Sequence, residues 1–421
     1  MPGFRRPLAL LVSALLPSRC LSAPAGGSSA KAANGPAGVI QMPIIHFDSA
    51  ATGALPLVDV GIGNPPQTIR MIIDTGSSDL IAADTGSAVC KAPQQQCTTS
   101  KTGLVLGSFD PKKSSGFSVV QGQNLNTSFG TGETYQGPMF KDTLTLGNVQ
   151  VPDAQLALME TGTIPPNTPS FQVFGVGPIG NEATAKPYLN VPARMKEAGV
   201  ISRSAYGVYL NHFKGSDGSI TFGGMDTAKF DGKLQEVPLI PNNRGDFPQF
   251  VVSLSSMSVS GNAGAGGAPK NNAGTRAAAN FLSGPFPALM DTGNPTLNLP
   301  VEAVTGMAKA LGIKTQNVPG ATVLGPMPCN LGTSMNVVFG FNKDAVKMSL
   351  PFSLLMVPAE GNGGAAGQCI MPQIGGLRDI ELTSLGSPFL QAMYAVFDAD
   401  ERKISLAQAK LNTTESKVVP F

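Results

Sequence analysis

Two short stretches of this sequence could do chemistry together. Met71-Ile72-Ile73 runs into Asp74-Thr75-Gly76, and Ala288-Leu289-Met290 runs into Asp291-Thr292-Gly293. Each is an apolar, strand-like run that ends on an acidic turn. Two carboxylates brought to hydrogen-bond distance cannot both ionise cheaply, so they share one proton, and an acid and a base then sit side by side. Such a pair can hold a water between them. The ionised partner takes the water's proton while the protonated partner polarises a peptide carbonyl. That chemistry needs no metal, no cofactor and no covalent intermediate. Asp74 and Asp291 are therefore the candidate catalytic residues. Their neighbours have definable tasks. Gly76 and Gly293 allow backbone to approach each carboxylate and supply amide donors. Thr75 and Thr292 can bond across the junction of the two turns, Ser77 can donate to Asp74, and Asn294 can donate to Asp291.

The two turns have matching sequels. Val173-Phe174-Gly175 follows the first and Ser384-Leu385-Gly386 the second, each at a distance of roughly 100 residues, which is the mark of a duplicated lobe and not of a short-period repeat. A third Asp84-Thr85-Gly86 follows only Ala82-Ala83 and leads into the Cys90 loop; it is expected to lack a buried strand and to stand outside the site.

These turns need a scaffold, and composition limits what it can be. Among 421 residues, Gly 50 and Pro 35 exclude a coiled coil or helical bundle. Short apolar or alternating runs recur between turn residues, as at Leu57–Ile62, Thr68–Ile73, Phe117–Gln121, Thr143–Leu146, Gly207–Leu210, Ser219–Phe222, Phe250–Leu254, Val337–Phe339 and Tyr394–Phe397. Helical patterns are few, and Ala193–Ala198 and Val301–Leu311 are the better ones. The expected class is mostly β. Residues 261–280 are rich in Gly, Ala and Asn and are expected to be a surface loop.

The N-terminus has a charged start at Arg5-Arg6, an apolar run and a small-residue end, so residues 1–22 are expected to be a secretory signal peptide. Residues 23–42 are expected to be a short, flexible, propeptide-like segment, residues 43–225 an N-terminal lobe holding Asp74, and residues 226–421 a C-terminal lobe holding Asp291. No later run is long and apolar enough to span a bilayer, so no membrane anchor is expected. The formal net charge of +2 leaves no footprint for nucleic acid. With His 2 there is little room for a zinc site or a Ser–His–Asp triad. Cys20 leaves with the leader. Cys90, Cys97, Cys329 and Cys369 remain, and of three possible pairings Cys90–Cys97 with Cys329–Cys369 is favoured by proximity. Asn126 and Asn412 head glycosylation sequons. A monomer is expected, because duplicated halves already form a cleft.

Several of these stretches resemble the pepsin-like aspartic proteases. Residues 74–81, Asp-Thr-Gly-Ser-Ser-Asp-Leu-Ile, resemble the first active-site motif of that family, and Asp291-Thr292-Gly293 the second. Residues 61–67 resemble its strand before the first motif, residues 218–226 its stretch near the lobe junction, and residues 385–398 its C-terminal signature. Phe129-Gly130-Thr131-Gly132 resembles its flap, a hairpin that closes over substrate. The resemblance implies a bilobal pepsin-like acid protease fold with two β-rich lobes and a central cleft. It also implies a secreted or vacuolar endopeptidase that cuts proteins or peptides beside bulky apolar residues at acidic pH. Three departures favour the alternative of a non-catalytic peptide- or protein-binding member of the fold: Phe129 replaces the flap tyrosine, the chain has Trp 0, and Asn294-Pro295 follows the second motif. The segment before residue 43 is short and poor in basic residues, which does not suit the basic plug of a usual family propeptide.

Overall fold

The computed structural model describes residues 36–49, 53–98, 103–130, 132–166, 168–215, 217–261, 279–360 and 364–421. The expected signal peptide, most of the segment 23–42, Thr131 and residues 262–278 lie outside the described residues. Strands make up 48% of the structure, so the protein is mostly β.

One sheet runs through the first half and under both halves. Its order is Phe230–Pro238, Lys403–Ala409, Met393–Asp398, Ala205–Tyr209, Gly218–Phe222 and Ile40–Ser49. It continues through Gly53–Ile62, Gln67–Asp74, Val173–Gly175, Leu80–Ala83, Val149–Met159, Thr134–Leu146 and Ser118–Ser128. A nine-stranded sheet forms the second half, with Phe286–Asp291 and Thr383–Gly386 as neighbours inside it.

Two sequence boundaries shift. Strand Ile40–Ser49 begins before residue 43 and pairs Ile40 with Phe222, so the end of the expected flexible segment is sheet. Its residues Ile40, Met42 and Ile44 are buried, and that apolar alternation fixes it in the core. The expected lobe boundary at 225/226 falls inside strand Gly224–Asp226, which pairs with Val418–Pro420. Strand Met393–Asp398 also pairs back onto Ala205–Tyr209, so the two halves share a base.

Burial patterns explain which strands carry the turns. Val346, Met348 and Leu350 are buried while Lys347 is exposed, the period of two of a strand with one wet face. Met71-Ile72-Ile73 and Ala288-Leu289-Met290 are buried without alternation. These strands pair in parallel, Asp74 opposite Gly175 and Asp291 opposite Gly386, with protein on both faces. The continuous apolar run thus delivers each aspartate to the end of an interior strand. The helix Val301–Leu311 follows from spacings of three and four: Ala303, Val304, Met307, Ala308 and Leu311 form its buried face. Gly312, at φ 67°, ends it in the left-handed conformation that suits glycine. The disulfides are Cys90–Cys97 and Cys329–Cys369.

Candidate active site

The structure brings the two acidic turns face to face. A Cβ added to Gly76 would lie 2.6 Å from Asp291 Cγ, and one added to Gly293 would lie 2.6 Å from Asp74 Oδ1. Only glycine permits that approach of backbone to the opposite carboxyl. The junction is locked by four hydrogen bonds related by a local two-fold. The Thr75 amide donates to Thr292 Oγ1 at 3.0 Å, and the Thr292 amide donates to Thr75 Oγ1 at 3.0 Å. Each hydroxyl then donates onward, Thr75 to the Met290 carbonyl and Thr292 to the Ile73 carbonyl, both at 2.7 Å. Both threonines are buried. Orphaning one such buried group costs about 1–3 kcal/mol, so the lock fixes the relative position of the carboxylates.

Each turn is also held from behind. Gly175 N–H donates to the Asp79 carbonyl and Val176 N–H to the Asp74 carbonyl. In the second half Ser387 N–H donates to the Asn294 carbonyl, and a Cβ on Gly386 would lie 2.2 Å from that oxygen. The apolar-Gly steps therefore exist because backbone passes too close for a side chain.

The carboxyls have unequal surroundings. Asp74 accepts from the Gly76 amide at 2.8 Å and from the Ser77 hydroxyl at 2.5 Å. Asp291 accepts from the Gly293 amide at 3.0 Å and also from the Asn294 amide. Burial, then the adjacent Asp74 carboxylate, pushes the Asp291 carboxyl well above the usual range. The proton belongs to the pair, a behaviour already established for aspartic-protease dyads as a class.

Asn294 departs from expectation. Its Nδ2 donates to Ser384 Oγ at 2.7 Å and its Oδ1 accepts from Thr296 N–H and Oγ1, so its side chain is engaged away from Asp291. The Thr296 donors and the nearby Ser384 hydroxyl satisfy all its polar atoms there. Pro295, which lacks an amide donor, sits against Gly53 of the first half instead. The third acidic turn also corrects its stated reason for exclusion. Leu80–Ala83 is a fully buried strand, yet it leads Asp84 to Phe109, where Asp84 caps its own Gly86.

The flap sequence forms a hairpin, Ser128 opposite Thr134. Phe129 N–H donates to the Glu133 carbonyl, and Gly132 turns at φ +97°. Thr131 lies outside the described residues, and Gly130 is exposed. Phe129 is half-buried against Tyr135, ring centroids 5.8 Å apart, in an apolar cluster with Ile81, Leu125 and Met139. An apolar contact thus anchors the hairpin where a tyrosine hydroxyl would need a polar partner. Tyr135 is fully buried and serves packing. Asn126 and Asn412 are both exposed. A hollow of about 940 Å³ adjoins the loop Gly177–Gly180 and contains neither aspartate. It is not where this chemistry would occur.

Sequence reasoning missed four residues around the dyad. Asp79 lies inside the first motif but was assigned no task; its buried carboxylate accepts from Ala183 N–H and Tyr188 Oη–H. Asn181 donates to the Gly76 carbonyl, and nothing in its local pattern marks it. Glu182 is beside it. Ser384 belongs to the second apolar-Gly step, and its hydroxyl was not foreseen as a partner of Asn294.

Comparison with known proteins agrees with this geometry. Residues 57–409 match the family model for eukaryotic aspartyl proteases. A probable aspartic-type endopeptidase OPSB of Arthroderma benhamiae is 30% identical over 375 residues, covering 85% of this chain and 69% of that protein. Secreted aspartic protease 4 of Candida albicans is 30% identical over 368 residues, covering 86% of this chain and 78% of that protein. The crystal structure of an aspartic proteinase from Irpex lacteus has the same fold, with a TM-score of 0.66 at 18% identity over 90% of this chain and 100% of that one. The chain belongs to the eukaryotic aspartyl protease family and is a pepsin-like aspartic-type endopeptidase.

Proposed function

We propose that Asp74 and Asp291 hydrolyse peptide bonds by activating one water between them. The observation that carries this is the reciprocal approach of each turn's glycine to the other turn's carboxyl. Asp74, whose oxygens accept from the Gly76 amide and the Ser77 hydroxyl, takes a proton from the water. Asp291, desolvated and protonated, donates to the substrate carbonyl oxygen. The water oxygen bonds to the carbonyl carbon to give a gem-diol; as it collapses the C–N bond breaks, the proton on Asp74 passes to the leaving nitrogen, and one hydroxyl of the gem-diol returns its proton to Asp291, which restores the pair. The catalytic form carries one proton on the pair, so activity is greatest in acid and falls once Asp291 ionises. The half-buried Phe129 and its cluster offer the flap an apolar wall, which supports a preference for bulky apolar residues at the cut.

The substrates are proteins or peptides, and the protein works as a monomer because one chain supplies both aspartates. Export is supported by the charged and apolar N-terminus, by two disulfides and by a relative named as secreted. The exposed Asn126 and Asn412 would then carry glycans. Digestion of a mixed peptide library across about pH 2 to 7, with and without a statine-type inhibitor, tests the whole proposal. Inhibitor-sensitive cleavage lost in Asp74→Asn and Asp291→Asn supports it. Inhibitor binding without any cleavage would instead make the chain a peptide-binding member of the fold. Recovery of the tagged protein from medium or from vacuoles decides where export ends.

A further inference from the structure

The loop after strand Val173–Gly175 touches both the first catalytic turn and the flap. Asn181 Nδ2 donates to the Gly76 carbonyl at 3.0 Å, and Gly177 N–H donates to the Ser77 carbonyl at 2.8 Å. Two residues on, the Ala183 carbonyl accepts from the Asn126 amide of the flap strand at 3.1 Å. Between these two attachments sits a pair of carboxyls. Asp79, 3% exposed, accepts from Ala183 N–H and from Tyr188 Oη–H, each at 2.7 Å. Glu182 accepts from Gly180 N–H through Oε2 at 2.8 Å, while its buried Oε1 has no hydrogen-bond partner.

Among the described residues no cation balances this pair. Neither carboxylate takes part in any ion pair among the described residues. The titratable groups facing the pair are each other and the Tyr188 phenol; Lys186, on the same loop, is exposed and pairs with neither. Two negative charges here would lie in a poorly solvated space with only amide and phenol donors against them. That arrangement is costly to keep closed.

We propose that Asn181-Glu182-Ala183 is a positioning clamp that ties the flap strand to the first catalytic turn, and that it stays closed only while Asp79 and Glu182 hold at least one proton between them. Asn181 is the positioning residue. It acts on catalysis through Gly76, whose amide holds Asp74 and whose backbone abuts Asp291. The clamp rests on the proposed proteolysis for its effect on rate, but not for its effect on stability. Its pH sense follows from the carboxyls. Burial raises Asp79, and burial with the neighbouring Asp79 charge raises Glu182. A carboxyl whose folded pKa is raised contributes stability that is complete below its unfolded value, and that is lost as pH climbs through the folded value. The clamp therefore closes in acid and loosens toward neutrality.

The test compares wild type, Glu182→Gln and Asn181→Ala by kcat, KM and melting temperature as functions of pH. Gln keeps the acceptor for Gly180 N–H and removes the charge. At about pH 3, where Glu182 is protonated, Glu182→Gln should match wild type within about twofold in kcat. Its neutral-side loss of activity should move up by about one pH unit, and its melting temperature should fall less steeply between about pH 5 and 7. Asn181→Ala should lower kcat about tenfold in acid, where the clamp is closed, and approach wild type toward neutrality, where it is open. Coincident pH profiles and melting curves for Glu182→Gln and wild type would overturn the clamp. So would a melting temperature lowered equally at every pH, since that is the mark of simple packing. If wild type cuts nothing, the peptidase reading fails, and the melting curves still decide the clamp.

Discussion

At the first turn Asp74 accepts from the Gly76 amide and the Ser77 hydroxyl; at the second, Asp291 accepts from the Gly293 and Asn294 amides while the side chain of Asn294, the counterpart of Ser77, turns to Ser384. The backbone around them is close to two-fold symmetric, down to the paired 3.0 Å bonds of Thr75 and Thr292. The side chains are not. Symmetry brings two like groups together, and their repulsion makes the pair hold one proton between them. Burial and the adjacent Asp74 carboxylate push the Asp291 carboxyl upward, and the difference between the turns lies in the kind of donor, a hydroxyl and an amide at Asp74 against two amides at Asp291.

The largest effects should ignore the asymmetry. Asp74→Asn and Asp291→Asn each remove the shared proton chemistry, and kcat should fall about 10³-fold or more in both, measured on a long peptide at acid pH. Gly76→Ala belongs with them, since its Cβ would meet Asp291 Cγ at 2.6 Å. A variant of either aspartate that keeps full activity would end the comparison at its root. Next come Thr75→Val and Thr292→Val. Each leaves buried partners unpaired and should cost about 2–3 kcal/mol in chemical denaturation. The local two-fold predicts near-equal losses, and a difference beyond about 1 kcal/mol would show that the grip is carried by one side.

Smaller, and more telling, is the contrast between Ser77→Ala and Asn294→Ala. Ser77 donates to the Asp74 carboxyl itself, so its loss should lower kcat/KM about tenfold or more. Asn294 bonds Ser384 and Thr296, so its loss should change kcat/KM by less than about threefold while lowering stability by about 1 kcal/mol. Equal kinetic effects would mean that the two turns are supported alike during catalysis.

How much of this was legible in the chain follows from what each feature depends on. The aspartates, their glycines and the threonine lock are local: an apolar run ending in Asp-Thr-Gly, present twice, specifies the strand, the turn and the partner. The apolar-Gly steps are nearly as local, because close backbone approach permits only Gly175 and Gly386. The helix Val301–Leu311 was legible to the residue, since its periodic face and its Gly312 cap agree. What escaped was set by long-range geometry. Asn294 has three possible partners, and its choice depends on where Ser384 arrives from 90 positions along the chain. Asn181 looks like a loop residue until folding places it under Gly76, 105 positions away. The Asp84 turn misled in the other direction. Ala82-Ala83 looked too weak for an interior strand, but with Leu80 and Ile81 they are fully buried, and only the tertiary path diverts that strand toward Phe109.

The smallest expected effect contrasts the shared base with the clamp, again through protons. His46 lies on strand Ile40–Ser49, its Nε2 at 2.7 Å from the Leu210 carbonyl and its ring edge-on to Phe213 at 4.8 Å. Its Nδ1 is buried without a partner. Burial lowers its pKa below the ordinary 6.5, ahead of the raising effects of the Leu210 carbonyl and Asp217. Above 6.5 the imidazole is neutral whether the chain is folded or not, so it contributes no pH dependence there. As pH falls below that value the unfolded chain binds a proton that the folded chain resists, and stability declines. His46 thus weakens the fold on the acid side, the opposite sense to Asp79 and Glu182. His46→Gln keeps a donor for the Leu210 carbonyl and removes the titration. Its melting temperature, measured against wild type from neutral to acid pH, should gain on wild type steadily as the solution is acidified. A constant offset would place the effect in packing against Phe213 and leave the acid-side loss to other groups.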